Sequence, residues 1–263
     1  MEKIAIFSDV HGNLSALNAF FDDAKKCGAT DYWFLGDLFG PGPDVEELWN
    51  KLKEINPSVL IRGNWEDFFI NSLHQNSKVP TNIKTIERYI INHLKDPDKI
   101  CQEIEQYPIS TEKTINDVKI GLSHNLPYDN QGDSLSIRSS SKNLAELFTG
   151  KRKNIDIAIY AHIHHPTMRY VDLNCLNQQV ANYDYSLADE RLVLNIGSIG
   201  LPFDKPTHLY KECRAEYLLL EVGDEGDVYP RLKRISYNNS PTFEKAIKND
   251  LPFKEQYINN FEL

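Results

Sequence analysis

Cysteine is scarce in this chain: four in 263 residues (Cys27, Cys101, Cys175 and Cys213), with no CxxC pair among them. That scarcity argues against a disulfide framework or a cysteine-rich zinc module, and isolated thiols suit a reducing compartment. Long apolar runs are missing too. No stretch approaches the roughly 18 residues that a membrane-spanning helix needs. Met1-Glu2-Lys3 leads straight into an apolar run, without the marks of a signal peptide. The expected setting is therefore cytoplasmic, away from membranes. Positive charge is in deficit, with 29 Lys and Arg against 38 Asp and Glu and a formal net charge of −9. An acidic chain lacks the basic surface that holds a nucleic-acid polymer. It can still take a small phosphorylated substrate, because bound divalent cations dominate the field at a site whatever the overall balance. Internal repeats and low-complexity linkers are absent as well. A hydrophobic fraction of 41% and a charged fraction of 25% describe an ordinary globular protein.

Short polar strings follow short apolar runs at intervals along the chain. They are Asp9-x-His11, Gly36-Asp37, Gly63-Asn64, Ser123-His124 and Ala161-His162-x-His164. Each preceding run (residues 4–7, 32–35, 59–61, 120–122 and 157–160) reads as a buried strand. Side chains at the ends of successive strands converge on one edge of a sheet, where open α/β folds place their sites. Two Asp, four His and one Asn form a mixed nitrogen and hard-oxygen donor set suited to a pair of Mn, Fe or Zn ions. In an extended chain Asp9 and His11 would share a face, as would His162 and His164. A lone His or Asp in such a place is more often a helix cap, a turn former or a satisfied core group. The ordered set outweighs that reading. Asp67, Asp129, His74, His93 and His208 belong to no such string and read as surface or loop residues.

The first 64 residues alternate strand and helix. Residues 14–27 place Leu14, Leu17, Phe20 or Phe21, and Ala24 on one face, with Asn13 as N-cap. A second helix is expected over 44–53. Residues 65–108 are polar and lack a β pattern, so they read as a helical insert over the site, with helices over 83–94 and 97–106. Strands return at 110–123 around an Asn116-Asp117 hairpin turn. A helix is expected near 142–148, a strand over 155–160, mainly antiparallel strands from 168 to 237, and a short helix over 241–249. Lys151-Arg152-Lys153 reads as a solvated helix end. The whole, residues 1–263, is expected to form one α/β domain with layered sheets.

The ordered strings resemble those of the calcineurin-like metallophosphoesterases, over residues 1 to about 200. Ser8-Asp9-Val10-His11-Gly12-Asn13 and Asn195-Ile196-Gly197-Ser198-Ile199-Gly200 look like the compact bacterial phosphodiesterase branch. Gly63-Asn64-Trp65-Glu66-Asp67, with Trp where most members carry His, is similar to streptococcal hydrolases of diadenosine polyphosphates and phosphodiesters. The resemblance implies a four-layer α/β/β/α sandwich. It also implies one metal on Asp9, His11, Asp37 and His164, and a second on Asp37, Asn64, His124 and His162, with Asp37 bridging. Two divalent ions, Mn and/or Fe or else Zn, would then cleave phosphodiester or phosphoanhydride bonds through a metal-bound hydroxide. Asp37, Asn64 and His124 stand as the catalytic members of that set.

Trp65 departs most from the family. Where many members place a His to protonate the leaving oxygen, an indole N–H cannot act as an acid near neutral pH. Good leaving groups, such as nucleotides or aryl oxides, are therefore expected, with His165, Glu66 and His74 as alternative proton donors. Trp65 could stack on a base or simply pack under the insert with Phe68 and Phe69. Arg62 could reach a substrate phosphate or pair with Glu66 or Asp67, and Asn13 could touch substrate as well as cap its helix. Gly197-Ser198-Ile199-Gly200 reads equally as a phosphate-binding nest or a strand-ending turn. Aromatic residues of the insert and tail (Phe68, Phe69, Tyr89, Tyr257, Phe261) could line a nucleoside pocket or form a homodimer contact. General or cyclic-nucleotide phosphodiesterase activity, and a low-turnover metal-binding scaffold, are the alternatives to a nucleotide hydrolase.

Overall fold

The computed structural model describes residues 1–176, 185–202, 213–259 and 261; His208 lies outside them. The order begins β1 (Glu2–Phe7), α1 (Leu14–Lys26), β2 (Asp31–Phe34), α2 (Glu46–Ile55), β3 (Val59–Leu60). Three helices follow: α3 (Asn64–Leu73), α4 (Thr81–Asn92) and α5 (Pro97–Ile104). Next come β4 (Ser110–Ile115), β5 (Val118–Ser123), α6 (Ser141–Ala145), β6 (Ile157–Tyr160), β7 (Thr167–Asp172) and β8 (Glu190–Asn195). The chain closes with β9 (Arg214–Val222), β10 (Val228–Ser236), α7 (Ser240–Lys248) and α8 (Lys254–Asn259).

Two sheets form, with strand orders β10-β9-β1-β2-β3 and β4-β5-β6-β8-β7. In the first, β1, β2 and β3 are parallel and β9 and β10 antiparallel; in the second, β5, β6 and β8 are parallel and β4 and β7 antiparallel. Strand alternation decides which residues face which layer. Ile4 and Ile6 of β1 meet Ile120, Leu122, Ile157 and Ile159 between the sheets. Ala5 and Phe7 point the other way, into a layer built by α1 to α5, α7 and α8. The second sheet turns Ala158, Tyr160 and Val193 toward α6 and the 3-10 turns beside it. The result is an α/β/β/α sandwich. Phe7, Phe20, Phe34 and Tyr217 interlock in the first helix layer, each ring burial contributing about 1.5–3 kcal/mol.

Helical patterning in residues 65–108 is realised, although α3, which opens at Asn64, had no expected counterpart, and neither did α8. The polar look of α3 misleads because only Asn64, Glu66 and Phe69 are buried on it. Asn116 and Asp117 both take positive φ, +48° and +66°, the geometry of a tight hairpin turn. Arg152 corrects the reading of Lys151-Arg152-Lys153 as a solvated run. Its side chain is only 5% exposed, and Nη2 donates to the carbonyls of Thr111 at 2.8 Å and Leu122 at 2.6 Å. The guanidinium thereby links the turn before β6 to the β4–β5 hairpin.

Candidate metal centre

Every candidate ligand sits just past the C-terminal end of a parallel strand: Asp9 and His11 after β1, Asp37 after β2, Asn64 after β3, His124 after β5, His162 and His164 after β6. Backbone bonds fasten these ends together. Asp9 N–H donates to Gly36 O at 3.0 Å, Val10 N–H to Asp37 O at 2.8 Å, and Ala161 N–H to His124 O at 2.9 Å. Strand alternation does not aim the side chains, contrary to the sequence expectation. Asp9, His11, Asp37, His162 and His164 all adopt left-handed backbone, with φ between +49° and +64°. L-residues rarely occupy that region, and its cost is met where the surroundings enforce it, commonly at functional sites. The bends turn Asp9 and His11 into one cluster but send His162 and His164 to different ones.

The donor atoms gather as Asp9, His11 and His164 in one group and Asp37, His124 and His162 in the other, each set within 4.8 Å. His11 Nε2 lies 3.0 Å from His164 Nε2, and Asp9 Oδ1 lies 3.1 Å from His164 Nε2. In the second group His124 Nε2 is 3.3 Å from His162 Nδ1 and 3.2 Å from Asn64 Oδ1. Asp37 Oδ2 stands between the groups, 3.4 Å from His124 Nε2 and 3.8 Å from His11 Nε2.

Backbone carbonyls occupy the far side of three rings. Leu35 O is 2.7 Å from His124 Nδ1, Leu201 O is 2.6 Å from His164 Nδ1, and Gly132 O is 2.9 Å from His162 Nε2. A ring nitrogen facing a carbonyl carries the proton, so the inward nitrogen of a neutral ring is a lone pair. Lone pairs and carboxylate oxygens packed 3.0–3.8 Å apart repel unless a cation sits among them. Asp9 Oδ1 is buried against the ring nitrogens of His164 and His11, at 3.1 and 3.5 Å. The donor set therefore fits two cations, whichever metals supply them.

The electrostatics agree. Burial would raise the Asp9 carboxyl, yet the imidazoles of His164 and His124 hold it well below the usual range. Asp37 is lowered against burial by His124 and His11. Burial opposes protonation of His124, but Asp37 and Asp9 push it up to about 10. Without a metal, a proton on His124 takes part of the cation's place.

Glu66 is the supporting residue that sequence reasoning missed in this role. It is 1% exposed, and its carboxylate accepts N–H bonds from Asp37 (2.7 Å), Leu38 (2.8 Å) and Gly63 (2.8 Å), tying the β2 and β3 ends together. Burial, then the charge of Asp37, push its carboxyl up to about 7. So enclosed a group is a pin, not a proton donor to substrate. Its place three residues after Gly63, from which a Glu can reach back to the N-cap N–H, is the half of a capping box that could have revealed it. Gly63 has a steric role: a Cβ there would fall 2.2 Å from Asp37 Oδ1.

The other expected residues divide. Trp65 is half-buried, its ring edge-on to Phe68 at 5.6 Å and to His11 at 6.1 Å, and its backbone N–H donates to Asp37 Oδ1 at 2.9 Å. Phe69 packs instead on Phe39. Arg62 pairs through Nε with Asp67 at 2.7 Å and through Nη1 with Glu105 O at 3.3 Å. Asn13 is fully buried; it caps α1 through Ala16 N–H and gives its amide to Tyr237 Oη at 2.9 Å, so its polar atoms serve the fold. The Gly197–Gly200 segment resolves as a turn. Ile199 and Gly200 N–H donate to Ser8 O and Asp9 O, Gly197 N–H to Asn195 Oδ1, and Ser198 Oγ to Asp9 O, so these amides brace the first ligand loop. His74 is engaged with Glu105 at the far end of α3.

Residues 2–222 match the calcineurin-like phosphoesterase superfamily domain. The chain belongs to that superfamily. A crystal structure of a metallophosphoesterase from Sphaerobacter thermophilus aligns over 98% of both chains, at 22% identity and a TM-score of 0.71. A hypothetical protein from Pyrococcus horikoshii aligns over 100% of this chain and 98% of its own, at 16% identity and a TM-score of 0.76. An uncharacterised protein of Methanocaldococcus jannaschii is 25% identical over 95% of this chain and 93% of its own length. The two structures show a shared fold. Superfamily membership and the paired donor clusters together mark a metal-dependent hydrolase. No helix among the described residues is long and apolar enough to cross a membrane.

Proposed function

We propose that the chain hydrolyses phosphodiester or phosphoanhydride bonds of small nucleotides, with diadenosine polyphosphates and nucleoside triphosphates as the leading substrates. Residues 1–263 act in this reading as one catalytic unit in the cytoplasm. The carrying observation is Asp37, whose carboxylate reaches both donor clusters while Trp65 stands beside it. Asp9, His11, Asp37 and His164 would hold one divalent ion, and Asp37, Asn64, His124 and His162 the other. Mn and/or Fe are the proposed ions, and Zn is also accepted by this donor set. Such ions supply Lewis acidity toward phosphoryl oxygens and lower the pKa of the water they hold.

The protein residues set the rest. Carbonyls of Leu35, Leu201 and Gly132 orient the imidazoles, and Glu66 fixes the loop that presents Asp37. Trp65 brings no transferable proton, so the leaving oxygen must be stable as an anion, as it is for a nucleotide phosphate or an aryl oxide. Arg62 is close enough in sequence to Asn64 to serve as a phosphate contact only by releasing Asp67.

Product analysis after incubating Mn-loaded protein with diadenosine tetraphosphate tests the proposal. ATP plus AMP, or two ADP, supports it and locates the bond attacked. Intact dinucleotide alongside a cleaved aryl phosphodiester shifts the reading to a general phosphodiesterase. Two bound metals with no turnover of either would favour a scaffold protein and sink the enzymatic proposal.

A further inference from the structure

A second group of metal-ligating side chains lies in the helical insert, apart from the dinuclear cluster. His74 caps the C-terminal end of α3, while Cys101 lies on α5 and Glu105, four residues on, is its C-cap in helical backbone, so the two share a face. His74 Nε2 and Glu105 Oε1 are 2.6 Å apart, and the donor atoms of all three residues fall within 4.8 Å of one another. Cys101 is 3% exposed and His74 opens to solvent, with 54% of its side chain accessible. The set thus offers sulfur from the protein side and nitrogen and oxygen toward the surface. Burial first, and then the carboxylates of Glu105 and Asp98, push the Cys101 thiol up to about 11, so the thiol lies in negative potential. An exposed His–Glu pair alone contributes little and gives Cys101 no part.

We propose that His74, Cys101 and Glu105 form a mononuclear site for a borderline-soft divalent metal of the zinc type. One ligand each of nitrogen, sulfur and oxygen, with water in the fourth position, is a chemically complete tetrahedral set for Zn²⁺ or Co²⁺. On binding, the Cys101 thiol gives its proton to solvent as the metal–sulfur bond forms. The ion would clamp the end of α3 to α5. Asn64, Trp65 and Glu66 ride on the opposite end of α3, so the clamp would steady the helix that carries them.

Cobalt titration of the metal-stripped full chain separates this site from the dinuclear cluster. That cluster contains no sulfur, so a thiolate-to-cobalt charge-transfer absorption can arise only at a cysteine. The band is expected to account for one Co²⁺ per chain beyond the two that the dinuclear cluster takes up, and to vanish in Cys101→Ser. His74→Ala, at an exposed helix end where folding is not at stake, should weaken the cobalt affinity read from the band by at least about tenfold. Absence of the band in the wild-type chain, its survival in Cys101→Ser, or unchanged affinity in His74→Ala would each overturn the assignment.

Discussion

Replacing Trp65 with His places an imidazole where this chain has only an indole. General acid catalysis contributes about 10²- to 10⁴-fold, or about 2.7–5.4 kcal/mol at 1.36 kcal/mol per decade. An alkoxide leaving group needs all of that help and an aryl oxide little of it. The cost falls elsewhere. Trp65 meets Phe68 at 5.6 Å and His11 at 6.1 Å, and losing two such ring contacts, at about 0.5–1.5 kcal/mol each, removes about 1–3 kcal/mol from the fold. The backbone bond from residue 65 to Asp37 Oδ1 survives any side chain, so the donor clusters stay assembled. The assay is kcat/KM for an aryl and an alkyl phosphate ester, on wild type and variant at equal metal content, with urea unfolding run alongside. Wild type should favour the aryl ester strongly, and the variant should raise the alkyl-to-aryl ratio at least about tenfold, even if the new acid is imperfectly placed. An unchanged ratio, or a wild-type enzyme that cleaves both esters equally, would show that proton delivery comes from another group.

Three further outcomes follow from the same structure. With its pKa raised to about 10 in the metal-free state, His124 stabilises that state fully below its usual 6.5 and loses the contribution as pH rises through about 10; metal loading near pH 7 should accordingly release protons, which calorimetry in buffers of differing ionisation enthalpy would detect. Arg152→Ala should destabilise the fold by about 1–3 kcal/mol, because two charge-assisted bonds of about 1.5–3 kcal/mol each are lost while relief of guanidinium desolvation returns part of it; an unchanged urea midpoint would count against the role given to Arg152. In Gly200→Ala the new Cβ would lie 1.8 Å from Val10 O, so the Asp9 loop must shift. Overpacking of that kind typically costs about 1–3 kcal/mol, and metal analysis should find fewer than the wild-type number of ions.

Much of the fold was legible because strand and helix periodicities are local. Ile4 to Phe7, Ile120 to Leu122 and Ile157 to Tyr160 announce strands by their runs, and the faces of α1, α2 and α4 announce helices. The sheet pairings were less so: β8 lies parallel to β6 and antiparallel to β7, a matter of which long-range partner wins. Arg152 was misjudged because a charged residue in a basic run looks like surface in sequence, and only the carbonyls that surround it in space reveal that its burial is compensated. Glu66, read as an alternative proton donor, is instead enclosed by the amides of Asp37, Leu38 and Gly63.

The α/β class, the donor chemistry and the superfamily were all written in residue types, their order and their position at strand ends. Ligand identity is a local property of the side chain, so it survives in a string of letters. Which ring nitrogens face inward, that Glu66 pins the Asp37 loop and that Gly197–Gly200 braces the Asp9 loop were settled by tertiary contacts. Those outcomes depend on left-handed bends and on hydrogen bonds between segments up to 191 residues apart in sequence, such as Gly200 N–H to Asp9 O, and no local pattern encodes the meeting of two distant strands.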